Sequence, residues 1–135
     1  MLRIFYLSHA ACLISDGQVQ DILATSHRNN PHLGVTGVLI HAGGMFAQIL
    51  EGPEQAVLRL YVKIMADRRH SDCRILHISP ARERIFQKWS MGVIHTAPLE
   101  FQEIMDLKAR RQDVVNAKVF SDAMIGFVRQ LNAGA

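Results

Sequence analysis

Two apolar runs split by a glycine turn, VTGVLIHAGGMFAQILEG, constrain this chain more than any other stretch. Ala42-Gly43-Gly44 is hairpin chemistry, since glycine takes the positive φ angles that tight turns require. The β-branched and aromatic residues on either side suit a pleated surface, so the stretch reads as two antiparallel strands. Gln48 sits in the middle of the second one, in MFAQILEGP. Burying an amide without partners costs roughly 2–7 kcal/mol. Either hydrogen-bonding groups meet Gln48 or the strand assignment fails.

Flanking segments supply the remaining layers. LRIFYLS (residues 2–8) is apolar on both faces, as a central strand should be. Ser15 or Asp16 offers an N-cap, and Val19, Ile22, Leu23 and Ser26 recur at helical spacing until Asn29, Asn30 and Pro31, where the helix is expected to end. Pro53 suits a first helical position, with Val57, Leu60, Tyr61, Ile64 and Met65 as the apolar face of a second helix. DCRILHISP and SMGVIHT read as a fourth and a fifth strand. The order βαββαβ plus one strand predicts an α+β, ferredoxin-like sandwich with two helices on one sheet face. Beyond Pro98, Val115, Val119, Met124, Phe127, Val128 and Leu131 predict C-terminal helices that cover the free sheet face or pack against another subunit.

At 135 residues the chain is expected to be one domain, and its 49% hydrophobic content argues against disorder. No apolar run approaches the roughly 20 residues of a membrane span, and MLRIFYLSHAAC lacks the layout of a signal peptide. A cytoplasmic location is the expectation. Cys12 and Cys73 share no zinc or CxxC spacing and are read as free thiols. The net charge of +3 is spread along the chain, so no nucleic-acid partner is expected.

The usual enzyme signatures are absent, and the seven histidines fall at no metal-ligand spacing, so no metal is expected. Glu51 stands at a strand end with no evident acid/base partner. What remains is a set of polar residues on apolar elements. Strand alternation puts Phe46, Gln48 and Leu50 on one face and Leu2, Ile4, Tyr6 and Ser8 on another. If the first and third strands are neighbours, Tyr6 and Gln48 can touch beneath the helices. Ile22 and Ile64 project from the two helix faces and could grip a flat ring between them. Asn29 and Asn30 offer mixed donors and acceptors, and Pro31 biases Asn30 toward an extended backbone. Each also has a plainer role: Asn as a helix cap, Tyr6 as a core aromatic, Ile22, Ile64, Trp89 and Met91 as packing.

The combination is more specific than any part. RIFYLS, ILATSHRNNPHLGVTGVLI, GGMFAQILEGP, IMADRRH and ERIFQKWSMG, in this order and spacing, resemble the BLUF family, the blue-light sensors that use FAD. The likeness implies a photosensory domain over residues 1–97 and a helical extension over 98–135 for capping, output or oligomerisation. It implies FAD, or FMN or riboflavin with the same ring, between the two helices. On that pattern Tyr6 gives an electron and a proton to the excited flavin, and Gln48 bridges the phenol and the ring. Asn29 and Asn30 hold the ring's polar edge, Arg69 and His70 lie near its other carbonyl, and Ile22 and Ile64 clamp it. Trp89 and Met91 match the mobile WSM segment of the last strand. Gln48 then rotates or tautomerises, and the change passes to the C-terminal region.

The resemblance is to the short class without a catalytic domain, so a sensor rather than an enzyme is expected. Its partners would be flavin, a downstream signalling protein and further copies of the chain. Two other readings remain. An acylphosphatase-like hydrolase needs a phosphate-cradling loop after the first strand, and SHAACLISDG has no glycine-rich nest. A cofactor-free interaction module would leave Tyr6, Gln48 and the Asn pair as coincidence.

Overall fold

The structure is a computed structural model that describes residues 1–10, 15–42, 44–95 and 117–133. Its elements are β1 (Leu2–Ala10), α1 (Asp16–Leu33), β2 (Thr36–Ala42), β3 (Met45–Gly52), α2 (Glu54–Met65), β4 (His70–Pro80), β5 (Gly92–His95) and α3 (Ala117–Ala133). The five strands form one sheet in the order β4-β1-β3-β2-β5, antiparallel except for the β2–β5 pair. This is the expected ferredoxin-like α+β arrangement with its added fifth strand. β1 lies inside the sheet because it is apolar on both sides. Leu2, Ile4 and Tyr6 meet Val19 and Leu23 of α1 and Val57 and Tyr61 of α2, while Phe5 and Leu7 face the opposite core.

The first helix departs from the sequence expectation. Ser15 caps it through a capping box with Gln18, but α1 runs through Asn29, Asn30 and Pro31 to Leu33. Pro31 lacks an N–H and so forfeits one helical bond. The final turn is closed regardless: Gly34, at φ 69°, donates to Pro31 O at 3.3 Å, and Val35 donates to Asn30 O at 3.0 Å. That pair of bonds is the glycine-terminated Schellman closure, and it outweighs the bias of a residue preceding proline. Asn30 is therefore helical rather than extended. On α2, Pro53 occupies the N-cap instead of the first helical position, and Met65 is largely exposed rather than on the buried face.

The far sheet face is covered by α3. Phe127 and Leu131 are buried among Phe5, Leu7, Ile40, Ile49 and Phe86, and the Phe127 ring meets Phe5 edge-on with centroids 6.1 Å apart. Of the two arrangements open for the C-terminal apolar face, packing on the chain's own sheet is present for these residues. Val115, Cys12 and the 11–14 loop lie outside the described residues, as does all of 96–116; the side chains of Val119 and Met124 are likewise outside the description. Cys73 is a free thiol.

Glu51 is fully buried and far from lacking partners. It pairs with Arg3 at 3.1 Å, accepts from the Thr36 hydroxyl at 3.1 Å and from Ile85 N–H at 3.0 Å, and also accepts from Phe86 N–H. Arg84 completes the cluster by donating to Thr36 Oγ1 at 3.0 Å and to Gly34 O at 2.6 Å. These bonds pin the start of the β4–β5 connection to the sheet and to the end of α1. Removing one member of a buried charge pair leaves the other uncompensated, which costs about 3–5 kcal/mol. Glu51→Ala should lose stability of that order, read as a lowered urea midpoint with an unchanged slope.

Candidate functional site

The register of β1 on β3 sets Tyr6 directly opposite Gln48, on the side that meets α1 and α2. Both are almost wholly buried, at 2% and 4% exposure, so the amide is not on a solvated face. The Tyr6 hydroxyl donates to Gln48 Oε1, and Gln48 Nε2 donates to Met91 Sδ at 3.3 Å. A thioether is a weak acceptor, and an amide NH2 carries two donors. The acceptor end of Gln48 is well served, and its donor end is underused.

Burial pushes the Tyr6 phenol well above its ordinary value of 10.0, with Cys73, Tyr61 and Asp67 adding to the effect. Burial also pushes Tyr61, 5.2 Å from the Tyr6 ring, up to about 12, with Cys73 contributing. Tyr6 therefore keeps its proton throughout the neutral range.

Above this pair a cavity of about 210 Å³ opens between the two helices. Ile22 from α1 and Ile64 from α2 stand on its apolar walls, with Leu39, Phe46 and Leu60. Asn29 and Asn30 line it from α1, the first exposed and the second buried. Asn30 Nδ2 donates to Ser90 O at 2.8 Å; among the described residues its Oδ1 accepts nothing. Arg69 and His70 line the end near the start of β4. Arg69 donates through Nε to both Asp67 oxygens at 3.0 Å, and that hydrogen bond holds the Asp67 carboxyl below its ordinary value while burial opposes it. His70 Nδ1 lies 2.8 Å from Ser8 Oγ, and its Nε2 contacts Ile64 O.

The cavity thus gathers Tyr6, Ile22, Asn29, Asn30, Gln48 and Ile64, joined by Arg69, His70 and Met91. It does not gather Trp89, which is half-buried on the opposite core beside Phe86 and Val128. Sequence reasoning missed Lys63, Asp67, Thr25 and Ser26 on the lining. The acid–base spacing of Asp67-x-Arg69 was a usable signal for Asp67, whereas Lys63 looks like any solvated helix lysine. The hydrolase alternative depended on the 11–14 loop, which lies outside the described residues. Among the described residues no cluster of side chains suits a metal ion, and no helix is long and apolar enough to cross a membrane.

The family profile described as sensors of blue-light using FAD matches residues 1–92. Residues spanning 64% of the chain are 38% identical, over 87 positions, to the photoactivated adenylate cyclase subunit beta of Euglena gracilis. The matched stretch amounts to only 10% of that protein, so this chain spans about a tenth of the length of such relatives. Among solved structures, the photo-activated state of BlsA superposes with a TM-score of 0.78 at 26% identity, covering 94% of each chain. The dark state of BlrB, a BLUF protein, superposes with a TM-score of 0.77 at 26% identity over 96% of each. This chain belongs to the BLUF family of flavin-using blue-light sensors. What matches, over residues 1–92, is the sensor domain of that family.

The raised phenols give a pH prediction. Where the unfolded chain releases a tyrosine proton near 10.0, folded Tyr6 and Tyr61 retain theirs. The folded state then binds more protons than the unfolded one, and stability falls as pH rises above that value. Denaturation midpoints measured from pH 9 to 11.5 should decline more steeply in the native chain than in Tyr6→Phe.

Proposed function

We propose that this chain binds FAD in the cleft between α1 and α2 and registers blue light through Tyr6, Gln48 and Met91. The observation that carries the proposal is the buried Gln48 amide, held by a phenol at one end and only a thioether at the other, on the floor of a cavity. The lining has the chemistry of a flavin site. Ile22 and Ile64 offer apolar faces to a flat ring. Asn30 Oδ1, which accepts nothing among the described residues, the amide of Asn29 and the spare donor of Gln48 match the alternating donors and acceptors of an imide edge. Arg69 and His70 supply donors at the other end, and FMN or riboflavin would satisfy the same ring contacts.

Bound flavin supplies blue-light absorption and, once excited, a ring that takes up an electron. Tyr6 is the donor: its phenol is protonated, buried and already hydrogen-bonded to Gln48 Oε1, which lies on the outward path of the proton. Gln48 then rearranges in one of two ways. Rotation brings Nε2 onto the phenol oxygen and turns Oε1 toward Met91, which has no proton to give. Tautomerisation leaves the heavy atoms in place and, once the electron and proton have returned to Tyr6, has moved one proton from Nε2 to Oε1, so that Nε2 keeps a single N–H. Both weaken the hold of Nε2 on Met91 Sδ.

Met91 immediately precedes β5, and β5 lies against α3, where Gly92 packs close to the tip of the Leu131 side chain. Release of Met91 is thereby passed to the Trp89–Met91 segment and the 98–135 extension, which alters binding to a downstream protein. The exposed Ile125 on α3 suits self-association into a homodimer or larger oligomer. The location that goes with this role is the cytoplasm.

Purified protein should be yellow and show a reversible red shift of flavin absorption under blue light. Gln48→Ala and Tyr6→Phe should each take up flavin and lose that shift. A colourless native protein that refuses added flavin would end the proposal.

A further inference from the structure

Three consecutive carbonyls on the approach to β5 are each held by a different donor. Gly37 N–H donates to Trp89 O at 3.0 Å, Asn30 Nδ2 to Ser90 O at 2.8 Å and His27 Nε2 to Met91 O at 2.9 Å. A carbonyl only accepts, so Nε2 is the protonated nitrogen of His27. His27 and Asn30 stand three residues apart on α1 and so share a helix face. Asn30 lines the cavity, whereas His27 is exposed and does not. Yet His27 grips the backbone of the very residue whose sulfur receives the Gln48 donor.

We propose that His27 is a positioning residue for the light response. Through Met91 O it keeps the Met91 thioether seated on Gln48, and it draws the 89–91 segment back after illumination. The proposal rests on the photosensor reading above and extends it to a side chain outside the cavity. α1 itself does not depend on the imidazole, since its ends are closed by the Ser15–Gln18 box and the Gly34 turn. Met91 leaving Gln48 must also loosen the His27 bond, because one residue carries both contacts. The Ser90 bond belongs to the same helix face, so a shift of α1 reaches two adjacent carbonyls together.

Trp89 is the chain's single tryptophan and sits two residues from Met91, so its emission reports where this segment lies. In His27→Ala, acrylamide should quench Trp89 more strongly in the dark, both in flavin-loaded protein and after flavin removal. Dark recovery of the red-shifted state should slow roughly two- to tenfold, the range of one net hydrogen bond. His27→Gln places an amide donor near the position of Nε2 and should restore both readouts, which a merely bulky surface residue would not. Unchanged recovery in His27→Ala, or a His27→Gln that behaves like His27→Ala, overturns the proposal. Quenching in the flavin-free chain tests the tether without any photochemistry. Absence of a red shift in the native protein would instead strike the photosensor reading.

Discussion

The cross-strand pair of Tyr6 and Gln48 is the contact on which the site depends. Strand side chains alternate with period two, so a slip of one residue between β1 and β3 would turn one partner to the opposite face. The register is held by what surrounds the pair. Ile4 faces Leu50 and Ser8 faces Phe46 on the same side, while Phe5 faces Ile49 and Leu7 faces Ala47 on the other. Both faces of both strands are buried, so a slipped register would have to repack two close-fitted cores at once. The pair therefore has a defined geometry without being a strong interaction in its own right.

Around that floor the β4–β5 connection is tethered unequally along its length. Its upstream end is bound by charge: Glu51 accepts from Arg3 and two backbone N–H groups, and Arg84 clamps Thr36 and Gly34. Its downstream end, Trp89 to Met91, is held by a backbone N–H, the Asn30 amide, the His27 imidazole and one bond to sulfur, with no carboxylate among the partners. Charge-assisted bonds are roughly twice as strong as neutral ones. Any displacement starting at Gln48 is accordingly taken up near Met91 and not at Phe86, which is itself fully buried. Trp89 lies with the far core and Met91 with the near one. The chain crosses from one side of the sheet to the other between them.

Much of this was legible in the sequence. The glycine turn and the two-sided apolar run of β1 sufficed for the ferredoxin-like order, and period-two alternation brought Tyr6 and Gln48 to one face. Helical spacing put Ile22 and Ile64 on facing walls. Three features were hidden for physical reasons. The end of α1 was misplaced because local rules weigh Pro31 heavily, whereas the bonds from Gly34 and Val35 compensate for its missing N–H. Glu51 looked solitary because its partners, Arg3 and residues 84–86, are remote in the chain and meet it only once the sheet has formed. The opposed placement of Trp89 and Met91 depends on a crossing that no periodicity in KWSMG encodes. Segments such as 96–116 offered amphipathic spacing alone, which does not say what they cover.

One rearranged hydrogen bond contributes about 0.5–1.5 kcal/mol net, somewhat more inside a buried network. A change of that size can redistribute populations only between states that already lie close in energy. For the response proposed above, the weakness of the Gln48–Met91 contact is a requirement and not a defect. Had a carboxylate or a backbone carbonyl stood where Met91 Sδ stands, the amide would be locked in one orientation by a bond comparable to the signal itself. A thioether fills the space, excludes water and resists little when the amide turns. The phenol on the other side is the reverse case, a buried group whose proton is held by desolvation. A buried phenol, a buried amide and a weakly bonded thioether, in that order across the sheet, are what this fold assembles from β1, β3 and the approach to β5.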